Sequence, residues 1–98
     1  MYARVTFSQV SPDSVDQALD IVRDSIVPAT KQEKGFKGYI LLTDRAEGKS
    51  INITLWETEA DRKASDQASE YYGEAIAQIA DLFTAAPVVE NYEVGIYE

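Results

Sequence analysis

Along YARVTFSQ, residues 2–9, apolar Ala3, Val5 and Phe7 alternate with Arg4, Thr6 and Ser8, the period of two that a half-buried strand shows. The period then changes. After Ser11 and Pro12, a capping residue and a proline suited to a first helical turn, Val15, Ala18, Leu19, Val22 and Ile26 line up one apolar helical face. Pro28 has no amide hydrogen for an interior helical bond, which predicts a kink or break near Val27, and KQEKG ends the segment at Gly35. FKGYILLTD, residues 36–44, is rich in β-formers, and RAEGK carries a glycine suited to the positive-φ position of a hairpin loop of three to five residues.

SINITLWET returns as the next strand. Thr58, three residues before Asp61, caps a second helix whose stripe runs through Ala64, Ala68, Tyr72, Ile76, Ile79 and Phe83. Ser65, Asp66 and Gly73 weaken its middle and predict two helical pieces. Ala85-Ala86-Pro87 stops it, and VVENYEVGIYE closes the chain as a strand with Tyr92, Val94 and Ile96 on one side. With right-handed crossovers, the order β-α-β-β-α-β gives a ferredoxin-like α+β fold: a four-stranded antiparallel sheet with both helices on one face. No linker, repeat or low-complexity stretch divides residues 1–98, so a single domain is expected.

Two helices cover only one face of such a sheet, yet these strands carry apolar residues on both. Tyr39 and Leu41 oppose Ile40 and Leu42, and Ile51, Ile53 and Leu55 oppose Trp56. A monomer leaves one apolar face in water, so a homodimer joined sheet to sheet is the expected solution; the alternative is that strand twist disperses the exposed residues.

Charge and composition narrow the chemistry. With 17 acidic against 9 basic residues, a net charge of -8 and a pI of about 4.4, the chain is matched neither to phosphate backbones nor to anionic lipid, so no nucleic acid and no membrane partner is expected. MYARVTFSQV lacks a basic segment leading into a long apolar run, and a cytoplasmic location is expected. Cysteine and histidine are both absent, which removes disulfides, thiolate nucleophiles, Ser-His-Asp arrangements, His-ligated zinc and the usual proximal histidine of haem. No metal and no cofactor is expected. The six tyrosines, the carboxylates, lysines and amides and the single indole bind and orient better than they shuttle protons near neutral pH.

The only tryptophan ends the strand in ITLWETEADRKAS, residues 53–65. Positions two apart on a strand share a face, so Asn52, Thr54 and Trp56 point the same way. An indole brings an apolar wall and one N–H, and an amide brings two donors and an acceptor, a set able to hold an aromatic molecule and polarise its oxygen. The same indole is equally fitted to plug a core, and the Asn52 amide to satisfy neighbouring backbone, so pocket and plug both stand at this point.

KGFKGYILLTD and LWETEADRKAS resemble the Gly-Tyr second strand and the tryptophan-ended strand of the antibiotic biosynthesis monooxygenase-like (ABM) family of the dimeric α+β barrel superfamily, over nearly the whole chain. The resemblance implies homodimers with facing sheets, a pocket between sheet and helices in each subunit, and in some members cofactor-independent oxygenation of anthrones or quinols. In that branch an Asn and a Trp four residues apart line the pocket, a spacing that Asn52 and Trp56 match. The branch's helical Tyr and Arg do not align by spacing, and Arg62 and the Tyr71/Tyr72 pair are only rough stand-ins. A second branch degrades haem with a helical histidine that this chain lacks.

The expectation is therefore a cofactor-independent monooxygenase for a small aromatic, anthrone- or quinol-like molecule. Asn52, Trp56 and Tyr72 are its candidate catalytic residues, and Thr54, Phe7 and Ile76 its candidate substrate-binding residues. Tyr72 is the candidate base, although it also fits the apolar stripe. The alternative is a non-catalytic dimeric module that binds a small apolar ligand or accompanies a pathway enzyme.

Overall fold

The structure, a computed structural model, describes residues 1–65 and 70–98, with side chains from residue 73 onward in the second stretch. The expectations placed on Asp66, Ala68 and the side chains of Tyr71 and Tyr72 lie outside the described residues. Strand β1 (Tyr2–Gln9) is followed by a 3₁₀ turn (Pro12–Ser14), helix α1 (Val15–Ile21), a π turn (Val22–Ile26) and helix α2 (Val27–Lys31). Strands β2 (Phe36–Asp44) and β3 (Lys49–Trp56), helices α3 (Glu59–Ala64) and α4 (Glu70–Ala80) and strand β4 (Val88–Glu93) complete the chain. All pairings are antiparallel, in the order β2-β3-β1-β4, and the helices pack on one face, as a ferredoxin-like α+β fold requires.

The irregularity expected near Val27 takes the form of a change of helical type, the π turn ending at Ile26 and α2 beginning at Val27. In the π turn the Val27 amide donates to the Val22 carbonyl, five residues back, and Pro28 falls in the first turn of α2, where its missing N–H is tolerated. The buried Thr30 hydroxyl donates to the Ile26 carbonyl at 2.8 Å, giving that group a partner beside the proline. The second helix does divide, into α3 and α4, but Gly73 sits inside α4 rather than at the break. Thr58 caps α3 as expected, its hydroxyl accepting from the Asp61 amide at 3.0 Å. The β2–β3 loop has four residues, and Gly48 takes its positive-φ position at 70°. A Cβ there would collide with the Val10 carbonyl, which makes glycine the residue this turn needs. Strand β4 ends at Glu93, so Val94 and Ile96 lie beyond it, in contrast to the longer strand expected.

The core is built mainly by the helical layer. Val15, Ala18, Val22, Ile26, Ala29, Ala75 and Ile79 form one buried cluster with Val10, and strand β2 adds Tyr39 and Leu41 at its edge. Full burial of one such aliphatic side chain contributes about 1.5–3 kcal/mol. Neither β1 nor β3 supplies a residue to this cluster among the described residues. The register explains it: Arg4 pairs with Thr54 and Thr6 with Asn52, so the side of β1 and β3 that faces the helices is polar.

Candidate functional site

Beneath the helices, that polar floor encloses a chamber of about 80 Å³. Arg4, Thr6 and Ser8 of β1, Asn52 and Thr54 of β3 and Tyr39 of β2 form the floor; Val22, Ile26, Ile76, Ile79 and Phe83 form an apolar roof. An open groove of about 540 Å³ adjoins it, walled by Leu19, Val27 and Lys31 on the helical side and Phe36, Gly38 and Leu41 on the strand side. Val22 and Tyr39 line both spaces.

A local irregularity arranges this junction. Strand β2 carries a register shift between Phe36 and Gly38, so that Phe36 pairs with Trp56 while Tyr39 pairs with Thr54. Residues three apart on a regular strand face opposite ways, but the extra residue returns Phe36 and Tyr39 to one side. Both rings then border the groove, and the Tyr39 hydroxyl donates to Asn52 Oδ1 at 2.7 Å.

Trp56 lies behind the chamber rather than in its wall. It is 0% exposed, and its Nε1–H donates to Thr54 Oγ1 at 2.9 Å. The Phe36 ring meets it edge-on, with centroids 6.0 Å apart and planes at 79°. The Arg4 guanidinium sits 5.8 Å from the indole centroid, within reach of a cation–π contact. Arg4 Nη2 also donates to the Arg62 carbonyl at 2.7 Å and to Ser65 Oγ at 2.6 Å, tying β1 to the end of α3. At the groove's rim Arg23 donates to Asp24 and Asp20 at 2.9–3.1 Å. Its hydrogen bond holds the Asp24 carboxyl below the ordinary carboxylate value, and the same bond raises the Arg23 guanidinium. Among the described residues no three His, Cys, Asp or Glu side chains form a group that could hold a metal.

The structure thus brings together Asn52, Thr54 and Ile76 of the expected site residues. It buries Trp56 one step behind them, and the Tyr72 side chain lies outside the described residues. Phe7 does not join them. It is paired with Ile51 and Val88 on the open face of the sheet, opposite Asn52, and is 38% exposed. Arg62 is buried in α3 and meets Arg4 through its backbone carbonyl, away from the chamber's lining. Sequence reasoning missed Tyr39 and Arg4 as site residues. The signal for Arg4 is its polar stripe with Thr6 and Ser8 set against the Asn52 and Thr54 stripe; Tyr39 depends on the pairing of β2 with β3, which sets it opposite Thr54 and within reach of Asn52, a contact between strands for which the sequence carries no local mark.

Comparison with known proteins agrees with this architecture. The family model described as antibiotic biosynthesis monooxygenase matches residues 1–85. The uncharacterized protein Rv2557 of Mycobacterium tuberculosis is 33% identical over 96 residues, 97% of this chain and 41% of that protein. The chain therefore spans about two fifths of the length of this curated relative. Among solved structures, an antibiotic biosynthesis monooxygenase superposes with a TM-score of 0.77 at 20% identity, over 96% of this chain and 98% of that one. Rv0793 from Mycobacterium tuberculosis superposes with a TM-score of 0.74, also at 20% identity, over 99% and 96%. At these identities the superpositions show the fold.

Proposed function

The chain belongs to the antibiotic biosynthesis monooxygenase family, and from that membership and the chamber's chemistry we propose a cofactor-independent monooxygenase acting on a small aromatic, anthrone- or quinol-like substrate. The observation that carries this reading is the polar chamber under an apolar roof, which shares Val22 and Tyr39 with a neighbouring groove of about 540 Å³. An aromatic ring system fits the groove, with its oxygen directed to Asn52. Loss of a proton gives an electron-rich enolate or phenolate whose oxygen an amide N–H stabilises. Tyr72, acting as its phenolate, is the proposed proton acceptor, and it returns that proton to the departing oxygen as water forms.

The reduced substrate is itself the electron donor. For an anthrone, the enolate carbon passes an electron to dioxygen, a C–O bond forms at that carbon, and water leaves. The methylene becomes a carbonyl, and one O₂ yields one carbonyl oxygen and one water. The protein's work is to bind, to stabilise charge on the substrate oxygen and to keep bulk water away. The apolar open face of the sheet supports a homodimer as the working form, and the acidic surface fits a cytoplasmic enzyme without nucleic-acid or membrane partners. Among the described residues no helix is long and apolar enough to cross a membrane.

One observation favours a second reading, a non-catalytic dimeric module that binds a small apolar ligand: the Trp56 N–H, a donor expected at the substrate, is spent on Thr54. Oxygen uptake by the purified protein with a panel of anthrones and hydroquinones separates the two. The oxygenase reading predicts uptake above a protein-free control with one quinone formed per O₂. Binding without uptake would replace it with the second reading, and absence of both would contradict each.

A further inference from the structure

The hydrogen bonds behind the chamber have a direction. Tyr39 donates its hydroxyl proton to Asn52 Oδ1 at 2.7 Å, so the amide's carbonyl end is engaged at the wall and its NH₂ end is the part left for the cavity. Trp56, which has only a donor, gives its N–H to Thr54 Oγ1 at 2.9 Å, and the Thr54 hydroxyl proton is then free to turn to another acceptor. Arg4, whose guanidinium only donates, borders the same space. The Thr6 and Ser8 hydroxyls can turn either way and do not oppose this polarity.

We propose that the chamber is a donor-lined pocket selective for ligands that present an acceptor oxygen, namely aromatic ketones, quinones and enolates, and that Tyr39 and Trp56 are the positioning residues that set this polarity through Asn52 and Thr54. The inference rests on the ligand site of the proposed function and sharpens it: the keto or enolate form of an anthrone is favoured over a neutral quinol, which must also place a hydroxyl proton. The ring lies in the groove and the oxygen reaches past Tyr39 toward Asn52 Nδ2. Two donors pre-oriented by groups behind them need not reorganise when charge develops on that oxygen, the condition for electrostatic stabilisation of an enolate. Tyr39→Phe keeps the ring in the groove wall but releases Asn52, whose amide can then turn either end inward.

The test compares α-tetralone with tetralin, the same bicyclic skeleton without the oxygen, by protein-detected NMR titration of the wild type, Tyr39→Phe and Asn52→Asp. The wild type is expected to bind α-tetralone about tenfold more tightly than tetralin, the ratio one well-made hydrogen bond supports. In Tyr39→Phe that ratio falls toward parity with tetralin affinity unchanged, an outcome that loss of packing alone would not give. Asn52→Asp, which retains an acceptor for Tyr39 but removes the inward donor, loses the preference too, and it carries the comparison if the Tyr39→Phe spectrum is not native. A wild type that binds both probes equally, or variants that keep the wild-type ratio, would overturn the inference while leaving a ligand site in place. A wild type that binds neither probe would overturn the ligand-site reading and this inference with it.

Discussion

The two faces of the sheet are composed in the opposite sense to an ordinary two-layer domain. Toward the helices, β1 and β3 present Arg4, Thr6, Ser8, Asn52 and Thr54. Away from them, the sheet presents Val5, Phe7, Ile51 and Ile53 with Ile40, Leu42, Val88 and Tyr92, the last four 43–57% exposed. A sheet covered on one side normally turns its apolar face to the core and its polar face to water. Here the helical layer makes most of the core from its own residues, so the inner sheet face need not serve packing and is available to a ligand. The outer face then has the composition of a surface made to be covered. Alternation along a strand is one pattern, but its two halves serve different ends.

The largest effect is expected where the inner face departs from its polar character. Trp56 is the one large apolar side chain that β3 turns inward, and it is fully buried. Trp56→Ala should lower stability by about 3–5 kcal/mol, read from denaturant unfolding, because the cavity it leaves is walled by Phe36 and Arg4 and collapses poorly.

Next in size is a charge on the opposite face. Ile53, flanked in register by Val5 and Ile40, is expected at the centre of a contact between copies, and Ile53→Asp places a carboxylate there. Light scattering should show the mass fall from twice 10.9 kDa in the parent to 10.9 kDa. A parent that already runs as a monomer would show that the open face is tolerated in water. A smaller change should leave both faces alone: Thr58→Ala removes the cap of α3 and should cost about 1 kcal/mol of stability, with association and ligand affinity unaltered.

How far these features can be read from the chain follows from what each pattern encodes. The elements were legible because period two, period three to four, the Thr58 cap and the Gly48 turn are local signals, and each reappears in the structure. Which half of an alternating strand goes under the helices is not local. It is fixed by pairing Arg4 with Thr54 and Thr6 with Asn52, and without that register Phe7 was expected in the site when it belongs to the open face. Pro28 marked the place of the helical irregularity but not its form, a π turn that shifts the hydrogen-bond ladder by one residue. Asn52 was legible through its strand position. Its partner Tyr39 was not, because the contact depends on the pairing of β2 with β3, which runs unbroken from Gly38 with Leu55 to Asp44 with Lys49 and is not a local signal.

The claim on which all of this turns is that the inner face is polar because a ligand uses it, and Asn52→Ala tests it most directly when thermal unfolding is measured beside a titration with α-tetralone. A ligand-facing amide whose one bond within the fold comes from the part-buried Tyr39 hydroxyl, a group that water can serve in its place, should be nearly dispensable for folding. The melting temperature is therefore predicted to stay within a few degrees of the parent while ligand affinity falls by about 1 kcal/mol, one net hydrogen bond. A variant that melts well below the parent and binds α-tetralone as tightly as the parent does would show that Asn52 serves the fold, and would contradict the account.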